Sequence, residues 1–129
     1  MSVNDQRTAP AEVEFEIQEG EDETAATFIF GNEDHTLGNA LRHSLTQLTE
    51  TDFAGYSVPH PYEPKMNLRL QTRGQPVLEV LKQGLTNLGE TAVIIDERFI
   101  EALKEFEVNH NSASAGGRTA GAAKKSKKR

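Results

Sequence analysis

The stretch Glu33-Asp-His-Thr-Leu-Gly-Asn-Ala-Leu-Arg-His-Ser-Leu-Thr-Gln-Leu48 decides the fold of this chain. Its leucines at positions 37, 41, 45 and 48 recur at helical spacing, so they lie on one face that must be buried. Asp34 and Thr36 are the candidate caps, because their side-chain oxygens can accept from the free amides of a first helical turn. Gly38 weakens a helix near its start, which indicates that another backbone or side chain lies close to it. The stretch therefore predicts an amphipathic docking helix.

Composition limits the class of protein. With 129 residues, the chain is predicted to form one domain with tails, at a size where burying a face in a partner helps stability. It has no cysteine, which excludes a disulfide framework, a thiol nucleophile and a cysteine-based zinc site. No apolar run approaches the roughly 20 residues that span a bilayer, and the N-terminus lacks the pattern of a signal peptide. We therefore expect a soluble intracellular protein with no membrane partner.

The net charge of −6 is unevenly distributed along the chain. All 20 acidic residues lie at or before Glu107, whereas the last twelve residues contain six lysines and arginines and no acid. This tail is rich in Gly, Ala and Ser, so we predict that residues 110–129 are disordered, as are residues 1–11, and that residues 12–109 form the domain. The run of basic residues at the end of the tail has two interpretations. It is either a signal for nuclear import or nucleic-acid contact, or a solubilising end with no partner. It consists of Lys124, Lys125, Lys127, Lys128 and Arg129.

Four segments are predicted to be strands. Residues 13–17 alternate apolar and acidic side chains, and residues 27–30 precede a Gly-Asn turn. Residues 52–60 and 66–73 form a predicted antiparallel hairpin, in which the apolar residues at 66, 68 and 70 face inward. The outward arginines at positions 69 and 73 allow a binding row for nucleic acid or a partner, but a solvated sheet face is favoured.

A second helix is predicted from about residue 76 to residue 108. Pro76 suits a first helical turn, and apolar residues then recur at alternating spacings of three and four. Such a helix spans roughly 50 Å, which is longer than two short hairpins can cover. Part of the line of apolar residues along it, called the seam here, is therefore predicted to bind a second chain. A core helix broken near Gly84 or Gly89 is the other reading, and the first is favoured because the seam continues past both glycines. The seam consists of Leu78, Leu81, Leu85, Leu88, Ala92, Ile95, Phe99, Ala102 and Phe106.

No combination of residues indicates catalysis. The four histidines include no pair at the i, i+4 spacing of a helical metal site. There is no glycine-rich phosphate loop and no Gly-x-Ser-x-Gly motif. Adjacent acids at Glu33 and Asp34 are explained by the favourable field of a helix N-terminus. We therefore expect no catalytic residue, no cofactor and no metal.

Three motifs, in order, carry a resemblance to a known family. They are Phe30-Gly-Asn-Glu-Asp-His-Thr-Leu-Gly-Asn-Ala-Leu-Arg42, Phe53-Ala-Gly-Tyr-Ser-Val-Pro-His-Pro61 and Asn67-Leu-Arg-Leu-Gln-Thr-Arg-Gly74. Over about residues 26–108 the chain resembles the small alpha-like subunits of eukaryotic RNA polymerases, and its first motif is similar to a helix of the bacterial alpha dimerisation domain. The second motif is more similar to the subunit shared by polymerases I and III than to the polymerase II version.

The resemblance implies an α+β fold in which two helices, one of them a long C-terminal helix, pack on one face of an antiparallel sheet. It also implies a heterodimer with a larger alpha-like subunit, on which the two largest subunits of RNA polymerases I and III assemble. Those subunits hold the active site, so this chain is expected to be non-catalytic, to meet DNA only through the complex, and to reside in the nucleus, including the nucleolus.

The family's motif positions transfer onto individual residues of this chain. The expected heterodimer interface consists of Leu37, Leu41, Leu45, Leu48, Leu78, Leu81, Leu85, Leu88, Ile95, Phe99, Leu103 and Phe106. The expected motif contacts, at the interface or toward a large subunit, are His35, Gly38, Asn39, Arg42, Tyr56, Pro59, His60 and Pro61.

Three other functions stay open at this point. The first is the equivalent subunit of RNA polymerase II. The second is a small nucleic-acid-binding module that uses the basic tail, although an acidic folded part argues against it. The third is a small-molecule or enzymatic domain, which no set of residues favours.

Overall fold

The computed structural model describes residues 14–20 and 22–116. In chain order its elements are β1 (Phe15–Glu19), β2 (Ala25–Gly31), α1 (His35–Thr46), β3 (Thr51–Ser57), β4 (Lys65–Thr72) and α2 (Val77–Gly116). The strands form one antiparallel sheet in the order β1-β2-β4-β3, which confirms the predicted α+β class. The predicted arm, residues 1–11, and residues 117–129 of the predicted tail lie outside the described residues. None of the described helices is long and apolar enough to cross a membrane.

One face of the sheet carries the hydrophobic core. Cross-strand partners share a face, and the register places Phe28 of β2 between Ile17 of β1 and Leu68 of β4. Side chains of β4 alternate between buried and half-buried, so Met66, Leu68 and Leu70 are fully buried, as predicted. The antiparallel pairing of β3 with β4 confirms the predicted hairpin.

Helix α1 lies against this face with its leucine stripe. The carboxylate of Asp34 accepts a hydrogen bond from the amide of Thr36 at 3.0 Å, so Asp34 is the cap. Leu41 and Leu45 are fully buried, and burying one such side chain contributes roughly 1.5–3 kcal/mol. The amphipathic pattern therefore identified the helix and its buried face correctly.

Helix α2 crosses α1 at Gly84. A β-carbon there would overlap the Leu45 side chain, whose Cγ lies 2.9 Å from its position, so only glycine allows the two helices this approach. The hydroxyl of Ser44 also donates to the Gly84 carbonyl at 2.7 Å. The helix continues through Gly84 and Gly89, so the broken-helix reading is wrong.

The C-terminal part of α2 is longer than the sequence predicts. The helix ends at Gly116, beyond the predicted end at residue 108 and the domain boundary at residue 109. No proline or glycine interrupts residues 109–115, and extending an existing helix costs far less than starting one. Residues 110–116 are thus part of the helix, and the predicted disorder of the tail stays a prediction. Among the described residues, those up to Glu90 form one compact unit of the chain, and those from Thr91 to Gly116 form a second.

Candidate protein-protein interface

The predicted interface residues divide into two groups. Those of the first group are buried or half-buried within this chain. Leu41, Leu45 and Leu81 are buried in its own core, so their burial is explained within this chain, and their assignment to the heterodimer interface stays a prediction. Leu37, Leu48 and Leu88 are half-buried and pack against the same core. The sequence pattern does not distinguish the two roles, because an amphipathic stripe requires burial but does not specify whether a sheet of the same chain or a partner provides it.

The second group is exposed. Leu78 and Leu85 lie in the first unit, on turns of α2 whose neighbouring residues Val77, Val80 and Leu81 face the core. Ile95, Phe99, Leu103 and Phe106 lie in the second unit, and all described residues from Gly89 to Ala113 are exposed. These six exposed positions keep their prediction as interface residues.

The apolar stripe of the second unit is defined here as Ile95, Phe99 and Phe106. Their exposed fractions are 64%, 66% and 65%, and their helical spacing places them on one face. Large side chains at this exposure form a contiguous apolar surface, which in soluble proteins marks an interaction site. The stripe is thus the strongest candidate interface in the described part of the chain.

Sequence reasoning missed several exposed apolar residues. In the second unit these are Val93, Ile94, Ile100 and Val108, which lie off the predicted seam. Four successive apolar residues from position 92 to 95 point to all sides of a helix, and this run is a sequence signal that would have found them. In the first unit, Phe15, Ile17 and Phe53 are also exposed.

The motif residue Gly38 is explained by contacts within the chain. A β-carbon at this position would overlap the Tyr56 ring and lie 2.6 Å from the Met66 sulfur. Gly38 is itself buried, so the close approach that it allows is accounted for within the chain, and its expected contact with a partner stays a prediction. The imidazole Nδ1 of His35 lies 3.0 Å from the Tyr56 hydroxyl, and the two rings meet edge to face. The first half of the motif therefore holds α1 against β3.

Other motif residues lie at the surface, where their predicted contacts stay predictions. Arg42 donates from Nη2 to the side-chain oxygen of Asn39 at 2.9 Å, a pairing within α1. Pro59, His60 and Pro61 are exposed in the turn after β3, and the His60 Nδ1 accepts a hydrogen bond from the Tyr62 amide at 3.3 Å. The basic residues from Lys124 to Arg129 lie outside the described residues.

Electrostatics of the sheet surface favour a solvated face. Arg69 donates to the Thr27 hydroxyl at 3.4 Å, and Arg73 lies 3.6 Å from the Asp52 carboxylate. The Asp52 carboxylate offsets the charge of Arg73, which weakens the interpretation of the two arginines as a row that binds nucleic acid. The Lys65 ammonium, 2.9 Å from Glu63, lowers the pKa of that carboxyl by hydrogen bonding and charge.

Within residues 14–20 and 22–116, no three His, Asp or Glu side chains form a group that could hold a metal.

Comparisons with known proteins identify a family for this chain. The model of the RNA polymerase Rpb3/Rpb11 dimerisation domain matches residues 25–98. Over 95 residues the chain is 42% identical to DNA-directed RNA polymerases I and III subunit RPAC2 of Danio rerio, covering 73% of this chain and 85% of that protein. It is 49% identical over 81 residues to subunit rpc19 of the same polymerases from Dictyostelium discoideum, covering 62% of this chain and 70% of that one. For RPAC2 of Saccharomyces cerevisiae the identity is 41% over 87 residues, or 67% and 61% of the two chains.

A solved structure shows the same fold at low sequence identity. The crystal structure of DNA-directed RNA polymerase subunit L from Thermoplasma acidophilum superposes with a TM-score of 0.62 and 17% identity. The match covers 74% of this chain and 94% of the archaeal one. At this identity the likeness is evidence for the fold alone.

Proposed function

Because this chain belongs to the RNA polymerase Rpb3/Rpb11 dimerisation-domain family, we propose that it is a non-catalytic assembly subunit of DNA-directed RNA polymerases I and III. Its role is to form a heterodimer with a larger alpha-like subunit, and this heterodimer is the platform on which the two largest subunits assemble. Nucleotidyl transfer takes place in those subunits, this chain meets DNA only through the complex, and the complex works in the nucleus, including the nucleolus.

One observation carries this proposal. The apolar stripe Ile95, Phe99 and Phe106 is about two-thirds exposed in a chain whose first unit has a buried core of its own. Exposing three large side chains on one helix face favours association. The relatives that are 41–49% identical to this chain are named as subunits of polymerases I and III, which supports these two enzymes over polymerase II.

The nucleic-acid-binding alternative has less support. The folded part is acidic, since all 20 Asp and Glu residues precede the basic tail. A duplex-binding surface needs a row of cations, whereas Arg73, one of the two outward arginines, is paired with Asp52. The tail from Lys124 to Arg129 keeps both of its interpretations, a nuclear-import or nucleic-acid contact signal and a solubilising end, and the full chain is expected to bind DNA weakly and in a salt-dependent manner.

Co-expression tests the proposal directly. Expressed alone, the chain is expected to self-associate through the stripe, whereas co-expression with the larger alpha-like subunit should give a monodisperse one-to-one complex. Size-exclusion chromatography with light scattering measures both states. A stable monomer that forms no complex with this partner would refute the proposal. Tight DNA binding that survives deletion of residues 118–129 would favour the nucleic-acid-binding module.

A further inference from the structure

Strand β1 lies at an edge of the sheet. In the order β1-β2-β4-β3, its partner among the described strands is β2. The amide of Gly31 donates to the Glu14 carbonyl at 2.8 Å, and the amide of Gly20 donates to the Ala25 carbonyl at 2.9 Å. In an antiparallel ladder, hydrogen-bonded pairs alternate with non-hydrogen-bonded ones. The backbone groups of even-numbered β1 residues therefore point toward β2.

The odd-numbered residues of β1 consequently turn their backbone groups to the free edge. These are Phe15, Ile17 and Glu19, and they offer N–H and C=O groups at the spacing that an added strand requires. The side chains of Phe15 and Ile17 lie on the core face of the sheet because their cross-strand partners are Phe30 and Phe28. They are nevertheless 47% and 39% exposed, since the core face is only partly covered at this edge.

A groove of about 570 Å³ lies beside this edge, between β1 and the first turn of α2. Its apolar lining includes Ile17 and Leu78, and Leu78 is 45% exposed. Asp22, Glu23 and Glu79 are among its other lining residues, and the described lining residues include no lysine or arginine. Because Glu79 pairs with Lys82 at 3.1 Å, the negative charge at the rim comes from Asp22 and Glu23.

The outer side of β1 is acidic as well. Glu14 and Glu16 are exposed on the face opposite to Ile17. Asp22 keeps its charge because the hydroxyl and amide of Thr24 donate to its carboxylate and lower its pKa. A second copy of the same strand would place like charges opposite each other, which is unfavourable across a strand pair. The charge pattern therefore selects a basic chain.

We propose that the free edge of β1 binds an extended, basic segment of another protein by strand addition. The added strand lies about 4.8 Å from β1 and pairs with the backbone of Phe15, Ile17 and Glu19. Its apolar side chains, at alternate positions, enter the groove beside Leu78. Its intervening lysines or arginines face Glu14 and Glu16. This surface belongs to the first unit and does not include the stripe Ile95, Phe99 and Phe106, but it shares Leu78 with the predicted heterodimer interface. The peptide is therefore tested on the full chain without its partner.

A peptide probe tests the backbone pairing. The full chain is titrated into fluorescein-labelled acetyl-Lys-Val-Lys-Val-Lys-Val-Lys-amide, and binding is followed by fluorescence polarisation. Binding in the micromolar range is expected, and N-methylation of alternate peptide amides should weaken it about tenfold or more, because each lost donor leaves an acceptor unpaired. Replacing the lysines by glutamates should abolish it. Equal affinity for the methylated peptide, or for the glutamate peptide, would overturn the proposal.

A matched pair of variants tests the edge itself. Ile17→Pro and Ile17→Ala both remove the isoleucine side chain, but only proline removes the N–H that points to the free edge. An edge strand tolerates proline at such a position. The proline variant should bind about tenfold more weakly than the alanine variant. Equal binding by the two folded variants would refute strand addition, and the methylated peptide decides the question should Ile17→Pro fail to fold. A rise of more than about tenfold in affinity after deletion of residues 1–12 would identify the chain's own arm as the occupant and overturn the proposal.

Discussion

Replacing Phe99 by alanine should weaken the heterodimer while leaving the fold of the chain intact. A phenylalanine side chain offers on the order of 200 Å² of surface, and 66% of this one is exposed. A partner can therefore cover about 130 Å², which at about 25 cal/mol per Å² corresponds to roughly 3 kcal/mol. The expected loss is about a hundredfold in Kd. Alanine favours the helix, so α2 should persist.

The measurement uses the complex obtained by co-expression with the larger alpha-like subunit. A fluorophore on the partner reports dissociation on dilution through its anisotropy, and circular dichroism reports the helix content of the variant. Lys104→Ala is the matched control, because Lys104 is exposed on the side of the same helix that is opposite to the stripe. An unchanged Kd for Phe99→Ala, or an equal loss for Lys104→Ala, would contradict the assignment of this stripe to the interface.

Three further predictions concern the first unit. Leu41→Ala should lower the stability of the chain by about 2–5 kcal/mol by opening a cavity, because Leu41 is fully buried; thermal unfolding of the complex measures this. Gly38→Ala should destabilise the chain by about 1–3 kcal/mol, since the new methyl group overlaps the Tyr56 ring; a Tm equal to that of the wild type would contradict this close approach. Thr24→Ala should raise the pKa of the Asp22 carboxyl, because the depressed pKa depends first on the Thr24 hydroxyl. The associated stabilisation is present at neutral pH and is lost as pH falls through the folded-state pKa, and NMR titration of the carboxyl in both proteins checks the direction of the shift.

Much of the fold could be predicted from local patterns. The alternation in β4 correctly placed Met66, Leu68 and Leu70 inward, and Asp34 was correctly among the candidate caps of α1. These features depend on periods of two and 3.6 residues, which the backbone imposes on any sequence. The same patterns identified α2 but ended it too early, because a helix can extend through polar residues once it has started.

The site was less predictable than the fold. Leu41 and Leu45 were expected to face a partner, and they face this chain's own sheet and α2. Gly38 was expected to allow close approach of a partner, and it allows close approach of Tyr56. The exposed residues Phe15 and Ile17 received no role from sequence, because an edge strand and a central strand can share one alternation pattern.

The amino-acid sequence by itself determined which segments become helices and strands and which face of each is apolar. It also determined the family, through motifs that lie close together along the chain. Only the tertiary structure decided which apolar faces this chain buries for itself and which it leaves exposed. The physical reason is that burial depends on contacts between residues far apart in sequence, such as Gly84 against Leu45, whereas periodicity depends on neighbours. The stripe Ile95, Phe99 and Phe106 remains as exposed apolar surface after those contacts are made.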